Sequence, residues 1–104
     1  MSDTKEERTA GGLLPRRRDL PVRPAGRDLL VREPEDGRVH FLNASAALIW
    51  ECCDGETTLA TCVQRLRSAF PIPAETDLDE DIRAAVADLS ARGLLERGEG
   101  FSGA

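Results

Sequence analysis

Four side chains in this 104-residue chain could support nucleophilic or metal chemistry: His40, its single histidine, and Cys52, Cys53 and Cys62. A Cys–His dyad yields a thiolate nucleophile when the imidazole lies within hydrogen-bond reach of the thiol. His40 falls in the middle of a strand-like run. Cys53 and Cys62 fall on the apolar stripes of two helix-like runs, where a free cysteine behaves as a small core residue. Cys52 falls off the stripe, so partial exposure is expected there, and no neighbour in sequence gives an obvious reason for its pKa to drop. Zinc needs a full set of thiolate and imidazole ligands at short spacings. Cys52-Cys53…Cys62 with one histidine does not supply it. Asp77, Asp79 and Asp81 begin like a calcium loop, but Ile82 stands where the loop needs glycine and Asp88 where it needs a bidentate glutamate. The same acids, with Glu80, suit the first turn of a helix, whose dipole favours anions. No glycine-rich phosphate loop occurs. These residues imply no catalysis, no metal and no cofactor, and they point to binding.

Composition narrows the kind of binding. Forty per cent of the residues are hydrophobic and 32% charged, which is ordinary for a folded domain, and the length suffices for one core. The formal charge is −5: residues 1–18 hold five bases and three acids, so residues 19–104 carry −7. A nucleic-acid binder would carry a basic face, so nucleic acid is not an expected partner. No apolar run approaches membrane-spanning length, and the N-terminus has no apolar signal core. The cytoplasm and reduced thiols are the expectation.

Residues 1–18 show no apolar period and read as a disordered, weakly basic arm, with residues 19–97 as the domain and 98–104 as a flexible tail. Pro21 and Pro24 limit residues 20–26 to a short edge strand. Asp28 to Glu33 and Arg38 to Leu42 are strand-like. Pro34-Glu35-Asp36-Gly37 between them makes a hairpin turn. Asn43 is a good helix N-cap. The first helix then carries Ala46, Ile49, Trp50 and Cys53 on one stripe and ends at Asp54-Gly55, where the glycine suits a left-handed position. A second helix from Thr57-Thr58 has Leu59, Cys62, Val63, Leu66 and Phe70 on its stripe and stops at Pro71 and Pro73. A third, from about Asp77, buries Leu78, Ile82, Ala85, Val86 and Leu89, and Gly93 closes it. Leu94-Leu95-Glu96 either returns as a short strand or caps the core. The expected fold is α+β and winged-helix-like: a small three-stranded antiparallel sheet followed by three helices.

A winged helix can read DNA, but the third helix opens on four acids, and a DNA reader there would need basic or amide side chains. Strand addition fits better. If the strand 38–42 is a sheet edge, an extended peptide can pair with it. Arg38 and His40 on that edge could equally serve to protect it from pairing.

The run Phe41-Leu42-Asn43-Ala44-Ser45-Ala46-Ala47-Leu48-Ile49-Trp50-Glu51, followed by Cys53-Asp54-Gly55, resembles the PqqD-like family. Thr57-Thr58-Leu59, Ala69-Phe70-Pro71 and Arg92-Gly93-Leu94-Leu95 extend the likeness over about residues 20–96. Such proteins are recognition elements for ribosomally made, post-translationally modified peptides. The resemblance implies a peptide chaperone that binds the leader of a precursor peptide as an added strand and presents it to a modifying enzyme. That enzyme would be a radical S-adenosylmethionine maturase or, in lasso-peptide systems, a leader peptidase. On this chain the implied peptide site is Arg38, Val39, His40, Phe41 and Leu42, with Arg83, Val86, Ala87 and Ser90 on one flank of the third helix. The other flank holds Asp81, Asp88 and Arg92. The prolines of the first strand and the short turn at 34–37 depart from the family pattern, so the resemblance implies the family and not its pyrroloquinoline quinone pathway.

Overall fold

The computed structural model describes residues 12–96. Three strands come first: β1 Val22–Ala25, β2 Asp28–Arg32 and β3 Val39–Leu42. Three helices follow: α1 Ala44–Cys52, α2 Leu59–Ala69 and α3 Leu78–Ala91. The sheet is antiparallel with order β1-β2-β3, so β1 and β3 are its two edges. This is the expected α+β order.

Each helix begins at a side-chain cap. Asn43 Oδ1 accepts from the Ala46 N–H at 2.9 Å, Thr58 Oγ1 from Thr61 N–H at 3.1 Å and Asp77 Oδ1 from Glu80 N–H at 3.2 Å. Each bond satisfies a donor the helix cannot pair internally. Gly55 takes φ +80° in the α1–α2 turn, with the Arg16 side chain 3.6 Å from where a Cβ would stand. A side chain there would be strained by the backbone, while its Cβ would make only ordinary contact with Arg16.

One face of the sheet supplies Leu29, Val31 and Leu42 to the core, where they meet Ile49 and Trp50 of α1, Leu66 of α2, and Ile82, Val86 and Leu89 of α3. Trp50 Nε1–H donates to the Leu94 carbonyl at 3.0 Å in this interior. Leu94 and Leu95 are both buried, and Leu95 makes a single bridge to Arg17. The segment thus caps the core and also touches a neighbouring chain segment.

Two expectations need correction. Residues 12–18 are not a disordered arm. Leu14 is 1% exposed, and the backbone of this segment pairs with Thr57, Cys53, Leu94 and Glu96. Arg17 Nη1 donates to the Glu51 carbonyl at 2.8 Å, and Arg18 Nη1 donates to Glu33 at 2.9 Å and to the Gly93 carbonyl at 2.7 Å. Two of the three consecutive arginines are therefore structural ties. Residues 1–11 and the tail 98–104 lie outside the described residues. The second correction is Cys52, which is 1% exposed. α1 packs against the sheet and against both other helices, so apolar contact extends well beyond a single stripe. Among the described residues no helix is long and apolar enough to cross a membrane.

Candidate peptide-binding edge

The phase of the ladder decides which backbone groups of β3 are free. Glu33 N–H donates to the Arg38 carbonyl at 2.8 Å, so that pair is hydrogen-bonded. Antiparallel ladders alternate bonded and non-bonded pairs. Along the register, Val31–His40 and Leu29–Leu42 are then bonded, and Arg32–Val39 and Leu30–Phe41 are not. The other side of β2 agrees, because Arg32 N–H donates to the Pro21 carbonyl at 3.0 Å. His40 and Leu42 therefore turn their amide groups toward β2. Val39 and Phe41 turn theirs toward the open margin.

Side chains on β3 follow the period of two. Leu42 is fully buried and His40 half-buried on the core face. The Nε2 atom of His40 is buried with no hydrogen-bond partner. Val39 and Phe41 stand on the outer face, 53% and 54% exposed, although both are large and apolar. Arg38 lies before the strand. Its N–H and guanidinium both bond Asp36, at 2.9 and 3.0 Å, and these bonds hold the Asp36 carboxyl below its usual pKa.

One contact identifies the helix flank beside this margin. Arg92 Nη1 donates to the Phe41 carbonyl at 3.1 Å, which is an outward-facing group. The same guanidinium grips Asp88 Oδ2 through Nε at 3.1 Å and Nη2 at 3.0 Å. At 100° per residue, Asp81, Ala85, Asp88 and Arg92 share that flank. Arg83, Ala87 and Ser90 are exposed on the opposite one, and Val86 is buried in the core. Of the residues expected from sequence, the structure brings Val39 and Phe41 together at the open margin. It puts His40, Leu42 and Val86 in the sheet or core, and Arg83, Ala87 and Ser90 away from β3. Asp88 and Arg92 take their place. Their i,i+4 spacing is visible in the sequence, but which flank faces β3 depends on how α3 packs.

The model of the family described as coenzyme PQQ synthesis protein D (PqqD) matches residues 29–95. The chain belongs to the PqqD family. It is also similar to PqqA binding protein 2 of Pseudomonas putida, at 38% identity over 61 residues. That match spans 58% of this chain and 64% of the relative, somewhat under two thirds of the relative's length. No solved structure matches.

In this PqqD-family chain the thiols form an interior cluster between α1 and α2. Cys52 accepts a hydrogen bond from Cys62 and lies 3.9 Å from the Arg65 guanidinium, and together these lower its pKa from 9.0 to about 7. Arg65 is the neighbour that no local spacing revealed. Cys62 is pushed up by donating to Cys52. Burial pushes Cys53 up to about 12, and its thiol donates to the Ile49 carbonyl at 3.3 Å. The Cys52–His40 dyad considered from sequence finds no support at Nε2, which has no partner. Among the described residues no group of three or more His, Cys, Asp or Glu could hold a metal ion.

Proposed function

We propose that this protein binds an extended segment of a ribosomally made precursor peptide as a fourth strand on β3 and presents it to a modifying enzyme in the cytoplasm. The observation that carries this reading is the open margin of β3, where Val39 and Phe41 combine outward-facing backbone groups with exposed apolar side chains. Membership of the PqqD family supports it, as does the relative named for binding PqqA. An added strand can pair with the N–H and carbonyl of Val39 and the N–H of Phe41, while the Phe41 carbonyl is held by Arg92. Three backbone bonds contribute roughly 3 kcal/mol net. Micromolar affinity requires about 8 kcal/mol, so apolar side chains must supply the larger share. No observation favours the DNA-binding reading. The first turn of α3 bears Asp79, Glu80 and Asp81, which repel phosphate.

A backbone-amide NMR titration with synthetic PqqA peptide tests the reading. Shifts are expected at Val39, Phe41, Asp88 and Arg92. Val39→Pro deletes an outward N–H and spares the β2–β3 ladder, so binding should fall at least tenfold while the protein stays folded. His40→Pro breaks a ladder bond and should unfold the hairpin. Shifts confined to α2 or to β1, or wild-type affinity in Val39→Pro, would rule out strand addition at β3.

A further inference from the structure

An open groove of about 680 Å3 lies beyond the end of β3, between α1, the loop after α2, and the N-terminal half of α3. Its walls are mostly apolar, from Ala46 and Ile49 on α1, Phe70 and Ile72 on the loop side, and Ala84 on α3. Among the described residues lining it, Asp81 is the ionisable one. The groove is preformed. Arg67 Nη1 donates to the Pro73 carbonyl at 3.2 Å, and Nη2 donates to the Ala74 and Thr76 carbonyls at 3.3 and 3.2 Å. One guanidinium thus fixes the loop that forms the outer wall, between Pro71 and Pro73, whose own φ is restricted. A fixed wall spares an occupant the ordering cost that a collapsing loop would impose.

The groove begins where β3 ends. Asn43, which directly follows β3, lines its near end, and Asp81 lies on the same flank of α3 as Asp88 and Arg92. The eleven residues from Asp81 to Arg92 rise about 16 Å along the helix. An extended peptide covers that distance in about five residues.

We propose that this groove takes one bulky apolar side chain of the peptide bound on β3, about three to five residues beyond the residue opposite Phe41, with a lysine or arginine of the peptide beside it facing Asp81. The proposal rests on the strand-addition reading above. It adds the chemistry that the ligand must carry. The groove supplies the apolar anchor that three backbone bonds leave wanting, and its single carboxylate gives the charge preference.

Four small probes report on the groove independently of the edge. N-acetyl-L-phenylalaninamide, titrated into the methyl-labelled full chain, is expected to bind with roughly millimolar affinity and to shift the methyls of Ala46, Ile72 and Ala84. N-acetyl-L-alaninamide should not. Ala84→Trp, at an exposed position, should abolish the shifts with little change in melting temperature. Arg67→Ala, which frees the wall, should weaken them. N-acetyl-Phe-Lys-amide should bind about two- to fivefold tighter than N-acetyl-Phe-Glu-amide at low salt, as expected for an exposed charge pair, and Asp81→Asn should erase that preference. Equal or absent shifts with the two single-residue probes overturn the proposal. So does a PqqA peptide that engages Val39 and Phe41 with the same affinity in wild type and Ala84→Trp. If the probes fill the groove but no peptide moves the β3 amides, the strand-addition reading has failed, and the anchor role falls with it.

Discussion

His40 is a polar side chain placed where the fold needs an apolar one. It faces the core from an edge strand, and its Nε2 is buried without a partner. Leaving such an atom unpaired costs about 1–3 kcal/mol, and replacing it with an apolar group of similar shape removes that cost. His40→Leu is therefore expected to melt at or above the wild-type temperature. It should also bind peptide like wild type, because the backbone of His40 points to β2. A lower melting temperature on thermal denaturation would mean that Nε2 has a partner after all. Trp50 gives the opposite case. Its indole N–H donates to the Leu94 carbonyl at 3.0 Å in the interior, beside the Arg18 N–H that donates to the same oxygen. Trp50→Phe keeps much of the ring contact and leaves that carbonyl with the Arg18 N–H alone, at 3.1 Å, so the loss is that of one hydrogen bond, about 0.5–1.5 kcal/mol, which is roughly 2–12 °C for a domain of this size. The ring–backbone bond also ties α1 to the segment after α3. Neither role could be read from residue type alone. Trp50 reads only as an apolar stripe position, and His40 only as a strand residue.

The elements themselves were largely legible, because their signals are local. The hairpin follows from two strand-like runs around Pro34-Glu35-Asp36-Gly37, and the three helices from their caps and 3.6-residue stripes. The segment 12–18 was not legible, because nothing in it is periodic. Its order comes from partners far along the chain: Thr57, Cys53 and Leu94 for its backbone, Glu33 and Gly93 for Arg18. Three consecutive arginines look like a solvated run until those acceptors are folded into place. The flank of α3 was illegible for a related reason. Asp81, Asp88 and Arg92 are as evident in the sequence as Arg83, Ala87 and Ser90, but only the packing of α3 puts Arg92 against Phe41. The segment 12–18 invites a stability test. Leu14→Ala removes a 1%-exposed core side chain and should cost about 2–5 kcal/mol in urea or thermal unfolding. Leu13→Ala, at an exposed neighbouring position, should cost well under 1 kcal/mol. Equal, small effects from both would mean that the segment does not pack in solution.

At the scale of the whole molecule, two linkages are expected: one to pH through the interior thiols, and one to peptide through the proposed site on the open edge. Cys52 has a folded-state pKa of about 7 against 9.0 for an unperturbed thiol. Its thiolate is favoured in the folded state, so its contribution to stability is present above pH 9 and is lost as pH falls through 7. Cys53 acts with the opposite sign. Its pKa of about 12 favours the folded thiol, and that contribution disappears as pH rises from 9 toward 12. Stability should therefore climb between pH 7 and 9 and decline above it. The climb should vanish in Cys52→Ala and weaken in Arg65→Met, as read from urea midpoints across that range. Peptide binding adds a second linkage. A ligand that binds only the folded state stabilises it by about 2.7 kcal/mol at a free concentration about 100 times its Kd. For a domain of this size that raises the melting temperature by roughly 10–20 °C. The gain should depend on peptide concentration and disappear in Val39→Pro. It should shrink in Ala84→Trp if the groove anchors the peptide, because a filled groove raises Kd at a fixed concentration. A peptide that shifts the melting temperature of wild type and Val39→Pro equally would be acting somewhere other than the open margin of β3.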